Sequence, residues 1–220
     1  MKQAIITSLL ILLSATILAQ GKLIRVDSES TGLRKDVPSI AFFEQEKTRL
    51  LMPQAAAFGV ECVPSFSPEW ALTYDSIAHT LVYKIAEKSI WHSTYGAFHK
   101  MKKGKKSTIS VLRKRPKGYV APDVQTYSLA VTPQQVQKIK AIWTTAVGTA
   151  EDREVFILDG TKWEYFIDGH RAKSHSNKNQ LVKFTNALAE TVRTGNVSRK
   201  DSLFAASQEF FISMPAAPKP

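Results

Sequence analysis

Alternation of hydrophobic and polar residues predicts β-strands along much of the chain. In residues 70–75 the apolar Trp70, Leu72 and Tyr74 alternate with small or polar residues, and residues 80–86 repeat the pattern after a short turn. Successive side chains of a strand point to opposite faces, so each segment presents one apolar face to a core. The two segments therefore predict an antiparallel hairpin. Strand composition is also present in residues 90–98, 107–113 and 124–131.

An Asp-Gly pair predicts a tight turn within residues 154–174. Asp159 and Gly160 can supply the positive φ that both central positions of a two-residue hairpin turn require. With the turn at this pair, Phe156 lies opposite Trp163. The flanking segments then form two strands with a shared apolar face that must be buried.

A second Asp-Gly pair, Asp168 and Gly169, predicts the next turn. With this turn Glu164 lies opposite Lys173 on the face away from the core. The third strand is polar, as suits the edge of a sheet. The two turns together predict a three-stranded meander.

Two segments combine helical periodicity with capping residues. Thr132 and Gln135 form a T-x-x-Q capping box around Pro133, which suits the first helical position. Asn177 or Asn179 can cap the second helix. The apolar stripes predicted for the two helices are Val136, Ile139, Trp143 and Ala146, and Leu181, Phe184, Leu188 and Val192.

These elements predict an α+β fold, an antiparallel sheet of about six to eight strands with two main helices on one face. A short helix is also expected at residues 39–51, where Pro53 closes it. We expect a single domain at residues 39–195, preceded by an extended segment at 20–38. A C-terminal tail at 196–220 has the composition for a short helix.

Residues 1–19 have the features of a secretory signal peptide. Lys2 precedes an apolar run from Ala4 to Leu13, and small residues lead to Ala19. A membrane anchor is the alternative, but polar residues interrupt the run before it reaches the about 20 apolar residues that a spanning helix needs. We therefore expect export to the periplasm, the outer surface or the medium, with no transmembrane segment in the mature chain.

Positive charge is concentrated in residues 100–117. The whole chain has a formal net charge of +11. The segment contains no acidic residue, and its basic residues are Lys100, Lys102, Lys103, Lys105, Lys106, Arg113, Lys114, Arg115 and Lys117. A hairpin that carries such a segment could contact an envelope or extracellular polyanion. The alternative is a solvated hairpin whose lysines keep a sheet edge unpaired.

The sequence offers no motif for a metal, a cofactor or a catalytic nucleophile. His92 and His99 are separated by an odd number of residues, as are His170 and His175, so strands would place each pair on opposite faces. There is no H-E-x-x-H motif and no nucleophile elbow. We therefore assign no catalytic residue, no metal and no cofactor. Specific nucleic-acid binding is not expected either, because no aromatic platform accompanies the lysines.

The C-terminal half resembles small uncharacterised exported proteins of Gram-negative gut bacteria. The resemblance rests on the run ILDGTKWEYF, a short polar loop and the segment QLVKFTNALAETV, which together span residues 154–192. It implies a hairpin followed by a closing helix and implies export. It implies no activity and no catalytic residue.

Three functions are compatible with these observations. The first is an exported, non-catalytic module that binds a protein partner or an envelope or extracellular surface. The second is a hydrolase of the envelope or of glycans, with an active site assembled from residues distant in sequence. The third is a polyanion binder that uses the basic segment.

Export can be tested directly. We expect the native protein to begin at Gln20, because the signal peptidase cleaves after a small residue that follows the apolar run. N-terminal sequencing of protein recovered from periplasm or medium measures this. A cytoplasmic protein that keeps Met1 would contradict the prediction.

Overall fold

The computed structural model describes residues 23–25, 38–53, 56–102, 116, 118–151, 160–175 and 179–212. Within these ranges the chain forms one antiparallel sheet with helices on both faces, which confirms the predicted α+β class. The strands are β1 (Ile24–Arg25), β2 (Ala56–Val63), β3 (Trp70–Asp75), β4 (Thr80–Ala86), β5 (Val124–Ala130), β6 (Lys162–Ile167) and β7 (His170–Ser174). The helices are α1 (Pro38–Leu51), α2 (Ile90–Lys102), α3 (Pro133–Gly148), α4 (Gln180–Thr194) and α5 (Val197–Ile212). Each helix in the described ranges is too short to span a bilayer.

The strand order is β1-β7-β6-β2-β3-β4-β5, so β2 lies at the centre of the sheet. Its Val60 lies between Leu72 of β3 and Tyr165 of β6. This strand is absent from the sequence-based prediction because Gly59 and two alanines, residues of low strand propensity, obscure the alternation of its apolar residues. The predicted hairpin of β3 and β4 is confirmed, and β5 extends it as a third antiparallel strand.

The two Asp-Gly turns have different outcomes. Asp168 and Gly169 join β6 to β7 with φ values of 47° and 82°, and Glu164 lies opposite Lys173 as predicted. The predicted pairing of Trp163 with Phe156 is wrong, because Trp163 pairs with Cys62 of β2 on one side and with Ser174 of β7 on the other. Residues 152–159 themselves lie outside the described residues.

The strand β7 is not the edge of the sheet, although its polarity predicted that position. The two-residue strand β1, within the expected extended segment, pairs with it from outside. Local polarity could not anticipate this, because β1 is distant in sequence and contributes few residues.

One face of the sheet packs on α3 and α4, and we refer to it as the α3/α4 face. Tyr165 and Trp143 are fully buried there and contact each other edge to face, with ring centroids 5.8 Å apart. Trp163 is also buried on this face, as predicted, and its Nε1 donates a hydrogen bond of 3.2 Å to Oδ1 of Asn186. The two main helices therefore lie on one face, as expected from their stripes. Phe204 of α5 joins the same core.

The predicted caps of α3 and α4 are confirmed. Thr132 and Gln135 form both hydrogen bonds of the capping box. Asn179 caps α4, and Gly195 follows its last residue in the left-handed conformation. Capping depends on neighbours within a single turn, so it can be predicted from local sequence.

The opposite face, the α1/α2 face, carries α1 and α2. The short helix predicted at 39–51 is confirmed as α1. Residues 90–98 were expected to form a strand, and this prediction is wrong because they belong to α2. The carboxylate of Glu69, on the segment before β3, accepts hydrogen bonds from the backbone N–H groups of Ile90 and Trp91 and so caps this helix. This cap is supplied from about twenty residues away, so the segment itself contains no capping residue that predicts a helix. The segment is also rich in β-branched and aromatic residues, which have low helix propensity.

Gly59 allows Phe166 to lie close against the centre of the sheet. A Cβ at Gly59 would stand 2.6 Å from Cζ of Phe166 and 2.8 Å from the backbone oxygen of Leu72. The backbone oxygen belongs to the paired strand β3 and cannot retreat without breaking the ladder. This position therefore has no room for a side chain, and glycine is required there.

We expect Gly59→Ala to lower the free energy of unfolding by about 1–3 kcal/mol, because the new methyl group overpacks this position. Gly148→Ala is the matched control, since an added Cβ there would meet no atom within 4 Å. Urea unfolding of both variants measures the difference. Equal stability of the two variants would show that β2 can shift to accommodate a side chain.

Candidate functional site

The main charged cluster of the described residues lies on the α1/α2 face, where β2, β6 and β7 adjoin. Glu61 of β2 lies directly opposite Glu164 of β6, and both side chains are buried. Like charges at directly opposed positions of a sheet destabilise it. Cations from three other positions offset this repulsion.

Lys47 of α1 neutralises the acid on β2. Its Nζ lies 2.6 Å from Oε2 of Glu61 and 2.7 Å from Oε2 of Glu44, and only 2% of the side chain is exposed. Burial alone would lower the pKa of Lys47, but Glu61 and Glu44 outweigh burial and raise it. Lys47 is thus charged at neutral pH and fixes α1 to the central strand.

Glu164 is neutralised by two cations of its own hairpin. Nη1 of Arg171 donates to its Oε1 at 2.7 Å, and Nζ of Lys162 lies 3.2 Å from its Oε2. Burial would raise the pKa of Glu164, but Lys162, Lys47 and Arg171 outweigh burial and lower it to about 2. The carboxylate is therefore ionised at every physiological pH and is a poor general acid or base.

Arg171 also packs on an aromatic ring. Its guanidinium carbon lies 5.6 Å from the ring centroid of Phe166, the residue directly opposite on β6. A cation over a ring face at this distance is a stabilising contact. The cation is thus held in place by Glu164 and Phe166 together.

Two further basic side chains stand at the end of this cluster. Lys173 lies opposite Glu164 but makes no ion pair within the described part of the chain. His175 follows β7, and its Nδ1 is buried without a hydrogen-bond partner among the described residues. Burial lowers the pKa of His175, and Lys173 and Lys162 lower it further. The end of the hairpin therefore holds more positive groups than it has acids to pair with them.

A further buried carboxylate, that of Glu69, has a structural role. Its Oε1 accepts from Oγ of Ser89 and from N of Trp91, and its Oε2 accepts from N of Ile90 at 2.6 Å. These donors satisfy both oxygens, so the carboxylate is committed to starting α2. It therefore offers no free acceptor for catalysis.

An open depression lies beside α3, away from the charged cluster. It is lined by Gln137, Lys140, Ala141, Thr144, Thr145 and Asp168. Lys140 and Asp168 pair across it at 3.3 Å, and both are about half exposed. In the ranges that the structure describes, no group of three or more His, Cys, Asp or Glu is placed to hold a metal ion.

The structure places the predicted basic segment only in part. Lys100 and Lys102 belong to α2, so the segment begins in a helix and the predicted hairpin is wrong at this end. The other basic positions, Lys103, Lys105, Lys106, Arg113, Lys114, Arg115 and Lys117, lie outside the described residues.

The residues on either side of the basic segment meet at one aromatic ring. The ring of Phe42 in α1 contacts Phe98, before the segment, at a centroid distance of 5.6 Å, and Tyr119, after it, at 5.1 Å. The fold therefore fixes both ends of the segment at neighbouring points.

The chain matches no protein-family model, no curated protein and no solved structure. Inference about function therefore rests on the residues themselves.

The ionised state of Glu164 predicts a pH dependence of stability. Its pKa is lowered from the ordinary value of 4.5 to about 2, so its stabilising effect is complete above about pH 5 and is lost as the pH falls towards 2. At pH 7 we expect Glu164→Gln to lower the free energy of unfolding by about 3 kcal/mol. This difference from wild type should shrink steadily in urea titrations between about pH 5 and pH 2.

Glu190→Gln is the control for this experiment. Glu190 pairs with Arg193 on the exposed surface of α4, with 39% of its side chain accessible. Solvent screens such pairs, so we expect a much smaller effect of the substitution. A pH-independent deficit in Glu164→Gln would mean that the carboxylate acts through its shape and not its charge.

Proposed function

We propose that the protein is an exported, non-catalytic module that binds a partner or a surface of the envelope or the extracellular space. The observation that carries this proposal is the mutual pairing of the buried charges on the α1/α2 face. Lys47 is shared by Glu44 and Glu61, and Glu164 is held by Lys162 and Arg171. Groups engaged in this way hold a fold together and are not available to move protons.

The alternative, a hydrolase, needs a recess in which a substrate meets a perturbed acid, base or nucleophile. The depression beside α3 is open, and the charged residues that line it form an exposed ion pair. The thiol of Cys62 is buried, and burial first, then the charge of Glu69, raises its pKa. A raised pKa favours the thiol over the reactive thiolate. These observations favour binding over hydrolysis.

The second candidate is polyanion binding through residues 100–117. The contacts of Phe98 and Tyr119 with Phe42 support it. They hold together the residues that flank a segment with nine basic residues and no acidic residue, so the segment carries dense positive charge. Concentrated charge attracts polyanions and releases their counterions on binding. The resemblance to exported proteins of Gram-negative gut bacteria stays a prediction, and it is compatible with both candidate functions.

The test of the main proposal is incubation of the mature protein with purified envelopes, lipopolysaccharide and peptidoglycan. We expect saturable co-sedimentation with at least one of them and no release of soluble sugar or peptide on long incubation. Release of soluble products by the wild-type protein would overturn the non-catalytic proposal in favour of hydrolysis.

The second candidate is tested on heparin and lipopolysaccharide columns with a salt gradient. We expect a variant with Ser at Lys102, Lys103, Lys105 and Lys106 to elute at lower salt than wild type, because each lost contact reduces counterion release. A variant with Ser at Lys138, Lys140, Lys183 and Lys88 is the control of equal charge. Equal losses in both variants would attribute retention to net charge and contradict a role for the segment.

A further inference from the structure

We propose that Lys162, Lys173 and His175 form a binding site for the anionic group of an acidic sugar, with Phe66 contacting the sugar ring. This inference deepens the proposed binding function and rests on it. It concerns the end of the β6–β7 hairpin and does not involve the basic segment.

The sheet register brings the three basic residues together. Lys173 lies opposite Glu164, and Ser174 lies opposite Trp163. One further step of the same antiparallel register would place His175 opposite Lys162, and the charge of Lys162 contributes to the lowered pKa of the His175 ring. All three side chains then belong to the α1/α2 face, since Ser174 belongs to the buried face of Trp163.

The charges at this point are not balanced by the described residues. The cluster contains four cations, Lys47, Lys162, Arg171 and Lys173, and three carboxylates, Glu44, Glu61 and Glu164. Neighbouring like charges on a strand pair destabilise the sheet. A bound anion would relieve this repulsion, and Lys173, which has no ion-pair partner among the described residues, is the cation available to it.

His175 supplies a neutral polar group in the same place. Its Nδ1 is buried and lacks a hydrogen-bond partner among the described residues. Buried polar atoms are nearly always hydrogen-bonded, so an unpaired one calls for an explanation. Rotation of the ring would bring this nitrogen to a hydroxyl or a protonated oxygen of a ligand while the ammonium groups hold the anionic oxygens.

Phe66 extends the site with an exposed apolar ring. It lies in the loop between β2 and β3 and is 86% exposed. The preceding residue, Ser65, accepts a hydrogen bond of 2.8 Å from the backbone N–H of Gly160, two residues before Lys162. This bond ties the loop to the start of β6. An apolar ring on a loop that adjoins the strand of Lys162 matches a sugar that has one apolar face and one acidic substituent.

The probes are glucose 6-phosphate, glucuronic acid, inorganic phosphate and glucose, each titrated into the mature protein by NMR and calorimetry. We expect both acidic sugars to shift the imidazole signals of His175, with glucose giving no shift. The two acidic sugars distinguish a phosphate ligand from a carboxylate ligand. Failure of both to bind would overturn the inference.

Two variants test the assigned roles. We expect Lys173→Gln to weaken binding of the acidic sugars about tenfold, since a charge-assisted hydrogen bond is lost. Lys183→Gln, on an exposed position of α4, should bind as wild type does. Phe66→Ser should weaken the sugar phosphate several-fold and leave inorganic phosphate unchanged. Equal affinity of wild type and Lys173→Gln would contradict the site.

These experiments distinguish failure of the sugar-binding site from failure of the proposed function. If Lys173→Gln binds envelopes and acidic sugars as wild type does, this site is wrong and the binding module stands. If acidic sugars bind through Lys173 but envelopes, lipopolysaccharide and peptidoglycan do not, the ligand site stands and the envelope proposal fails.

Discussion

The pairing of Lys47 with Glu61 is the interaction on which the arrangement of the sheet depends. β2 and β6 are neighbours at the centre of the sheet, and their register places Glu61 opposite Glu164. Two buried carboxylates in this position would repel each other and would lose their hydration as well. Lys47 enters from α1 and compensates one of them, and its charge also lowers the pKa of the other. Strand pairing and helix docking are therefore linked by one side chain.

This link explains why both faces of the sheet are covered. The α3/α4 face is apolar and packs by burial of residues such as Trp143, Tyr165 and Leu188. The α1/α2 face is mixed. A smaller apolar cluster around Phe43 and Ile90 adjoins the ion pairs of Lys47 and Glu164. A helix packed there must bring charge as well as apolar surface, which α1 does.

Features determined within a few residues could be predicted from the sequence. The capping box at Thr132, the turn at Asp168 and the pairing of Glu164 with Lys173 are of this kind. Features supplied from a distance could not. Glu69 caps α2 across about twenty residues, and β2 takes the edge of β6 that a local hairpin was expected to fill. For the same reason Lys173 could be placed beside Glu164 beforehand, whereas Lys47 and Glu61 could not be recognised as their neighbours.

The basic residues also differ in whether they are close in the sequence or are brought together only by the fold. Nine basic residues in residues 100–117 are conspicuous because they are consecutive or nearly so. Lys162, Lys173 and His175 are not conspicuous in the sequence, because the turn between β6 and β7 lies between Lys162 and the other two. Register brings them to one end of the β6–β7 hairpin, where Lys162 and Arg171 already engage Glu164 and Lys173 has no ion-pair partner among the described residues. Three-dimensional proximity of like charges is costly wherever the residues lie in sequence. A cluster that the fold creates at this cost is therefore a stronger indication of a ligand than a run of lysines, which water and salt screen at little expense.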